Sequence, residues 1–187
     1  MKVAAIDLGS NTFLCLIAEV SKSEVTKVYS DSAEVVRLGQ GLEQSKMFHP
    51  EALLRAENCL IKFNEIMSEH KPEKVLAMAT SAARDALNRA ELFAIAERHG
   101  IPLEIIPGER EAAITYLGAV SGYSSLNQNL MVIDIGGGST EFIFGCDHNL
   151  IEGASYNIGC IRLTEKFITA QPTPDKDILT VIEFIDS

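Results

Sequence analysis

In Leu130-Met131-Val132-Ile133-Asp134-Ile135-Gly136-Gly137-Gly138-Ser139-Thr140-Glu141-Phe142-Ile143-Phe144, an apolar run meets three glycines and then a second apolar run. The pattern predicts a strand, a tight turn and a returning strand. Consecutive glycines tolerate φ > 0 and let backbone N–H groups approach a ligand without side-chain obstruction. Successive N–H groups in such a turn form a concave anion site. Asp134 and Glu141 flank the turn and would repel a bare phosphate. They suit one when a divalent cation lies between, because magnesium takes carboxylate oxygens together with substrate phosphates. The chemistry read from this stretch is therefore phosphate plus magnesium or another divalent cation.

The same pattern stands at the N-terminus, in Val3-Ala4-Ala5-Ile6-Asp7-Leu8-Gly9-Ser10-Asn11-Thr12-Phe13-Leu14. Ile6-Asp7-Leu8-Gly9 aligns with Ile133-Asp134-Ile135-Gly136 without a gap, and the turn that follows is expected to be about one residue longer in the second copy. The spacing is far too long for a solenoid, so this is one supersecondary unit used twice. Two such hairpins facing each other across a cleft would clamp a phosphate chain from both sides.

With 187 residues, 47% of them hydrophobic, the chain has enough for one large or two small domains. No stretch is long and apolar enough to span a membrane, and no signal peptide is expected. Cys15, Cys59, Cys146 and Cys160 show no C-x-x-C spacing and lie in or near apolar segments, which predicts buried free thiols in a reducing, cytoplasmic setting. A net charge of −10 argues against a nucleic-acid binder. A polyanionic substrate remains compatible with it where backbone amides, a few arginines and magnesium carry the anion. The histidines are scattered beside loop signals, no pair has ligand spacing, and none is assigned a catalytic role.

Along the chain, the opening hairpin is followed by a third strand at Val25 to Tyr29, extended after a polar interruption by Val35 to Leu38. Leu53, Ala56, Leu60, Phe63 and Met67 then recur at helical spacing behind Pro50, which suits a first helical turn. Lys74 to Ala79 reads as a strand. Thr80-Ser81 supplies capping hydroxyls for a helix that carries Arg84 in its first turn. A helix from Arg89 to Arg98, a strand from Ile101 to Ile106, a helix from Glu109 to Val120 and a polar loop from Gly122 to Asn129 follow. The order β-β-β-α-β-α-β-α fits a meander extended by parallel strands through helical crossovers. A second β-β-β-α starts at Leu130 and stops short of the strands that the first copy has. The chain is therefore expected to be a fragment or to hold a much reduced second half, with domains at 1–124 and 125–187.

These segments resemble the exopolyphosphatase / guanosine pentaphosphate phosphohydrolase (Ppx/GppA) family of the actin, Hsp70 and sugar-kinase superfamily. The resemblance rests on Ile6-Asp7-Leu8-Gly9-Ser10-Asn11-Thr12, Thr80-Ser81-Ala82-Ala83-Arg84-Asp85-Ala86-Leu87-Asn88 and Ile106-Pro107-Gly108-Glu109-Arg110-Glu111-Ala112. It continues through Asp134 to Glu141 and Asn157-Ile158-Gly159-Cys160-Ile161-Arg162-Leu163-Thr164-Glu165. It implies an α/β, ribonuclease-H-like (actin-like ATPase) fold, the first domain complete and the second truncated, with the site between them. Polyphosphate or guanosine pentaphosphate is the implied substrate.

On that footing Glu111 is the candidate base, at a helix start whose positive end is expected to depress its pKa. Asp134 and Glu141 are candidate metal and water ligands, with Asp7 contributing from the facing hairpin. Ser10, Asn11, Thr12, Gly136, Gly137, Gly138 and Ser139 would cradle phosphates, and Arg84 is the expected phosphate-binding cation. Arg162 reads as helix surface or subunit contact, with contact to substrate the lesser alternative. Pro107 and Arg110 depart from the family pattern, and Arg110 is expected to lower the basicity of Glu111. An incomplete second sheet would expose an open edge and apolar surface, which predicts a homodimer or other self-association. Two readings compete with the hydrolase: an ATPase or sugar kinase of the same superfamily, and a non-catalytic polyphosphate or alarmone binder.

Overall fold

Strand alternation decides which side chains meet the core and which meet the cleft. In β1 (Lys2–Leu8), Ala4, Ile6 and Leu8 are buried while Ala5 and Asp7 face the opposite side. In β2 (Thr12–Ser21), Phe13, Cys15 and Ile17 are buried on the same core. The computed structural model describes residues 1–22, 24–123 and 128–187. β1 pairs antiparallel with β2, and β2 with β3 (Glu24–Val35). β4 (Lys74–Ala79) joins β1 in parallel, and β5 (Leu103–Ile105) joins β4 in parallel. The five-stranded order is β3-β2-β1-β4-β5, the meander with parallel extensions that the element order implies.

β3 runs unbroken through the polar residues 30–34, which were expected to interrupt it. It is an edge strand with no fully buried residue, so it needs no apolar alternation, while Val36 and Leu38 enter the core only after it ends. One short helix, α1 (Leu42–Ser45), follows. α2 (Pro50–His70) buries Ala52, Leu53, Ala56, Cys59, Leu60, Phe63 and Met67 against the sheet. His49 caps it, its Nδ1 accepting from the Glu51 N–H at 3.3 Å. α3 (Ser81–Asp85) and α4 (Arg89–Arg98) fill the crossover between β4 and β5.

α5 (Gly108–Val120) turns its buried side, Ala112, Tyr116 and Val120, to Ile143 of the second sheet. That sheet is a meander of β6 (Asn129–Ile135), β7 (Thr140–Cys146) and β8 (Asn149–Tyr156), closed by α6 (Cys160–Phe167) and α7 (Asp175–Asp186). Half of the polar loop expected before β6, and the domain boundary at 124/125, lie outside the described residues. Among the described residues, no helix is long and apolar enough to cross a membrane. Cys15 and Cys59 are buried free thiols as expected. Cys146 is half-buried and Cys160 is exposed, because Cys160 opens α6 at the rim of the cleft.

Candidate active site

The two Asp-x-Gly hairpins turn in the same way. The Gly9 N–H donates to the Thr12 carbonyl at 3.2 Å, and the Gly136 N–H to the Ser139 carbonyl at 2.9 Å. Asp7 lies opposite Leu14 and Asp134 opposite Glu141. The turns are thus of equal length, and the extra residue expected in the second copy does not exist: Gly137-Gly138 takes the place of Ser10-Asn11. What breaks the symmetry is Leu14, which stands where the second hairpin has Glu141.

The carbonyls of both turns are engaged from behind. Ser10 O accepts from the Gly39 N–H at 2.8 Å, and Asn11 O from those of Val36 and Arg37 at 2.9 and 2.8 Å. In the second hairpin, Gly136 O accepts from the Cys160 N–H at 3.0 Å and Gly137 O from the Ile161 N–H at 2.9 Å. Gly138 O accepts from Arg162 Nε at 2.9 Å. In each copy the segment after the third strand grips the turn. The N–H groups of Ser10, Asn11, Gly137, Gly138 and Ser139 have no partner among the described residues, and such donors call for an acceptor.

A cleft of about 350 Å³ lies between the turns. Asp7, Ser10, Asn11, Thr12, Glu111, Asp134, Gly136, Gly137, Gly138, Ser139 and Glu141 all line it. Glu141 is 1% exposed, and its Oε1 accepts a hydrogen bond from Ser155 Oγ at 2.6 Å. Asp7 opens into the cleft, yet desolvation by the walls, with Glu111 and Asp134 nearby, pushes its pKa up to about 6. Among the described residues, no group of acidic, histidine and cysteine side chains converges tightly enough to enclose a metal ion.

Glu111 sits in the first turn of α5, as its sequence position implies, but its pKa is raised rather than depressed. Burial dominates, with Glu141 and Asp134 adding to it, while Arg84 pulls the other way. Arg84 lies outside the cleft lining. Its Nη1 donates to Glu111 Oε2 at 2.7 Å and to the Ile106 carbonyl at 3.0 Å. Arg110 turns away and pairs with Glu104, so it is not the cation beside Glu111. Neither Thr80 nor Ser81 caps α3 through its side chain. Ser81 Oγ is buried without a partner among the described residues and borders the cleft.

Arg162 is not a surface residue. Its side chain is 16% exposed and reaches Glu43 of α1, Asp85 of α3 at 2.5 Å, and the Gly138 carbonyl. Ser155 and Ser81 were likewise missing from the sequence-derived site. The motif from Asn157 to Glu165 contains Arg162, but nothing local announced its partners.

The fold defines an α/β protein of the actin-like, ribonuclease-H-like class, with a cleft between two Asp-x-Gly hairpins. The family model "Ppx/GppA phosphatase family" matches residues 16–186. The chain belongs to that family. It is 38% identical over 189 residues to "Exopolyphosphatase 2" of Mycobacterium tuberculosis, a match that covers 96% of this chain and 59% of that protein. It is 35% identical over 183 residues to "Guanosine-5'-triphosphate,3'-diphosphate pyrophosphatase" of Pseudoalteromonas atlantica, covering 96% of this chain and 36% of that protein. The solved structure of an exopolyphosphatase from Cytophaga hutchinsonii superposes with a TM-score of 0.91 at 30% identity, over 100% of this chain and 60% of that one. The chain therefore spans about 60% or less of the length of these relatives.

Proposed function

We propose that this cleft hydrolyses a terminal phosphoanhydride, releasing orthophosphate from inorganic polyphosphate or the 5′-phosphate of guanosine pentaphosphate. The observation that carries this is the pair of matched turns with amides unpaired among the described residues, facing a half-buried glutamate, Glu111, that an arginine holds in place. The amides of Ser10, Asn11, Gly137, Gly138 and Ser139 bind phosphate oxygens, with the Thr12 hydroxyl beside them. Arg84 fixes one oxygen of Glu111 and leaves Oε1 for the attacking water. The raised pKa makes Glu111 a stronger base than an ordinary carboxylate, so it orients the water and takes its proton. The water oxygen bonds to the terminal phosphorus as the bridging P–O bond breaks, and the shortened chain leaves with the electron pair.

The carboxylates of Asp7, Asp134 and Glu141 suit magnesium or another hard divalent cation. Burial, with the charges of Glu111 and Asp134 adding to it, raises the Asp7 pKa, and a bound cation would relieve that penalty on the ionised carboxylate. Magnesium retains waters and shares itself with substrate phosphates, so it does not require an all-protein cage. When bound, the ion supplies charge neutralisation on the phosphoryl oxygens.

In this reading residues 1–124 form the first domain and 125–187 begin the second, with α5 the bridge whose buried side faces the second sheet. Exposed Met131, Ile133, Ile151, Ile178 and Leu179 favour self-association as a homodimer, which light scattering at tens of micromolar checks; a clean monomer contradicts it. Four free thiols fit a cytoplasmic setting. The test of function is phosphate release from long-chain polyphosphate and from guanosine pentaphosphate, with and without magnesium. Release that needs magnesium and is lost in Glu111→Ala supports the reading. Release unchanged in Glu111→Ala overturns it.

A further inference from the structure

Three contacts converge on one guanidinium at the back of the cleft. Arg162 Nε donates to the Gly138 carbonyl at 2.9 Å, Nη2 to Asp85 Oδ2 at 2.5 Å, and Nη1 to Glu43. Glu43 lies on α1 and Asp85 on α3, both in the first half of the chain, whereas Arg162 and Gly138 belong to the second. One turn further along α6, Glu165 Oε1 accepts the Gly41 N–H at 2.7 Å. The void beside this cluster measures only about 20 Å³, so the halves are closely packed here. The planar fork of arginine can hold two carboxylates and a carbonyl at once; an ammonium is a single point charge.

We propose that Arg162 is a positioning residue: with Glu43 and Asp85 it forms a latch that fixes the Gly136–Ser139 turn against the first half of the chain and so sets the width of the cleft. The latch acts through Gly138 and touches no substrate. Its bearing on function rests on the reading of that turn as a phosphate cradle. Among the described residues, the carbonyl of Gly138 is gripped by a side chain, whereas those of Gly136 and Gly137 are gripped by α6 amides. Losing the guanidinium therefore frees the turn at the residue whose neighbouring amides face the cleft.

The experiment is hydrogen exchange by mass spectrometry on the full chain and on two variants, Arg162→Lys and the double Glu43→Gln/Asp85→Asn. The acidic partners are 24% and 28% exposed at the side chain, so the double variant tests the latch without removing a buried cation. The expected result is exchange about tenfold faster on the far side of the interface, since hydrogen bonds to charged groups carry about that factor or more. The double variant should speed the Cys160–Arg162 amides, and Arg162→Lys should speed the Gly41 amide. Changes confined to the half that carries the substitution overturn the latch. Tripolyphosphate binding, measured in parallel, separates the two claims. The latch predicts binding at least about tenfold weaker in both variants than in the parent. If the parent chain binds no tripolyphosphate while cross-interface exchange rises, the latch stands and the phosphate reading of the cleft fails.

Discussion

Replacing Gly159 by alanine places a methyl group where the phosphate turn now stands. Its Cβ would lie 2.5 Å from the carbonyl carbon and oxygen of Gly137 and 2.6 Å from the nitrogen of Gly138. Gly159 has φ −150° and ψ 160°, extended backbone that alanine adopts freely, so the whole effect is steric. Relief requires the turn or the start of α6 to retreat by roughly 1 Å, since carbon contacts settle near 3.5 Å. Overpacking of this kind costs about 1–3 kcal/mol. The retreat also stretches the Cys160-to-Gly136 and Ile161-to-Gly137 hydrogen bonds, now 3.0 and 2.9 Å, each worth about 1 kcal/mol. The expected loss is about 2–4 kcal/mol in urea denaturation, with phosphate binding weakened alongside. Gly138→Ala is the contrasting case. Its Cβ would meet Ser81 Oγ at 2.6 Å and Ser10 Oγ at 2.7 Å, so adding Ser10→Ala and Ser81→Ala should recover most of its loss, whereas no side-chain change recovers Gly159→Ala. A Gly159→Ala variant within about 0.5 kcal/mol of the parent, binding tripolyphosphate normally, would refute this geometry.

Ser155→Ala removes a donor to the buried Glu141 and is expected to cost about 1–3 kcal/mol, read by denaturation; Ser155→Thr, which keeps the hydroxyl, should lose less. Arg84→Gln removes the influence that lowers the Glu111 pKa, leaving burial and the neighbouring acids. The acidic limb of the pH–rate profile should therefore move to higher pH, and an unmoved limb would contradict the pairing. Asp7, raised from 3.8 to about 6, keeps its proton in the folded state where the unfolded chain has released it. Its contribution to stability thus falls as pH rises through that window and levels off above it. Carbon-13 detection of the Asp7 carboxyl should show this titration, shifted down in Glu111→Gln because one raising charge is gone; titration near 4 in the parent would contradict it.

The hairpins, the α2 stripe, the parallel extension and the carboxylates of the cleft were legible in the sequence, because each is a local pattern of alternation, spacing or turn chemistry. The length of the second turn was not, since three glycines look like an insertion until the Asp134–Glu141 register fixes them. β3 hid in polar residues because an edge strand has little to bury. The pKa of Glu111 was misjudged because the helix end is visible in sequence, whereas the burial that outweighs it is not. Arg162 escaped because its partners stand 77 and 119 residues away. Long-range ion pairs leave no periodic trace, and Thr80-Ser81 could be read as a cap only while the backbone angles there were unknown.

The most direct test of the central claim is hydrolysis of tripolyphosphate in oxygen-18 water with magnesium, followed by phosphorus-31 NMR of the products. Attack by a Glu111-oriented water on the terminal phosphorus predicts one labelled oxygen in each orthophosphate released and none in the pyrophosphate left behind, with both products absent from Glu111→Gln. Label at the new end of the pyrophosphate, or release that Glu111→Gln retains, would contradict the account.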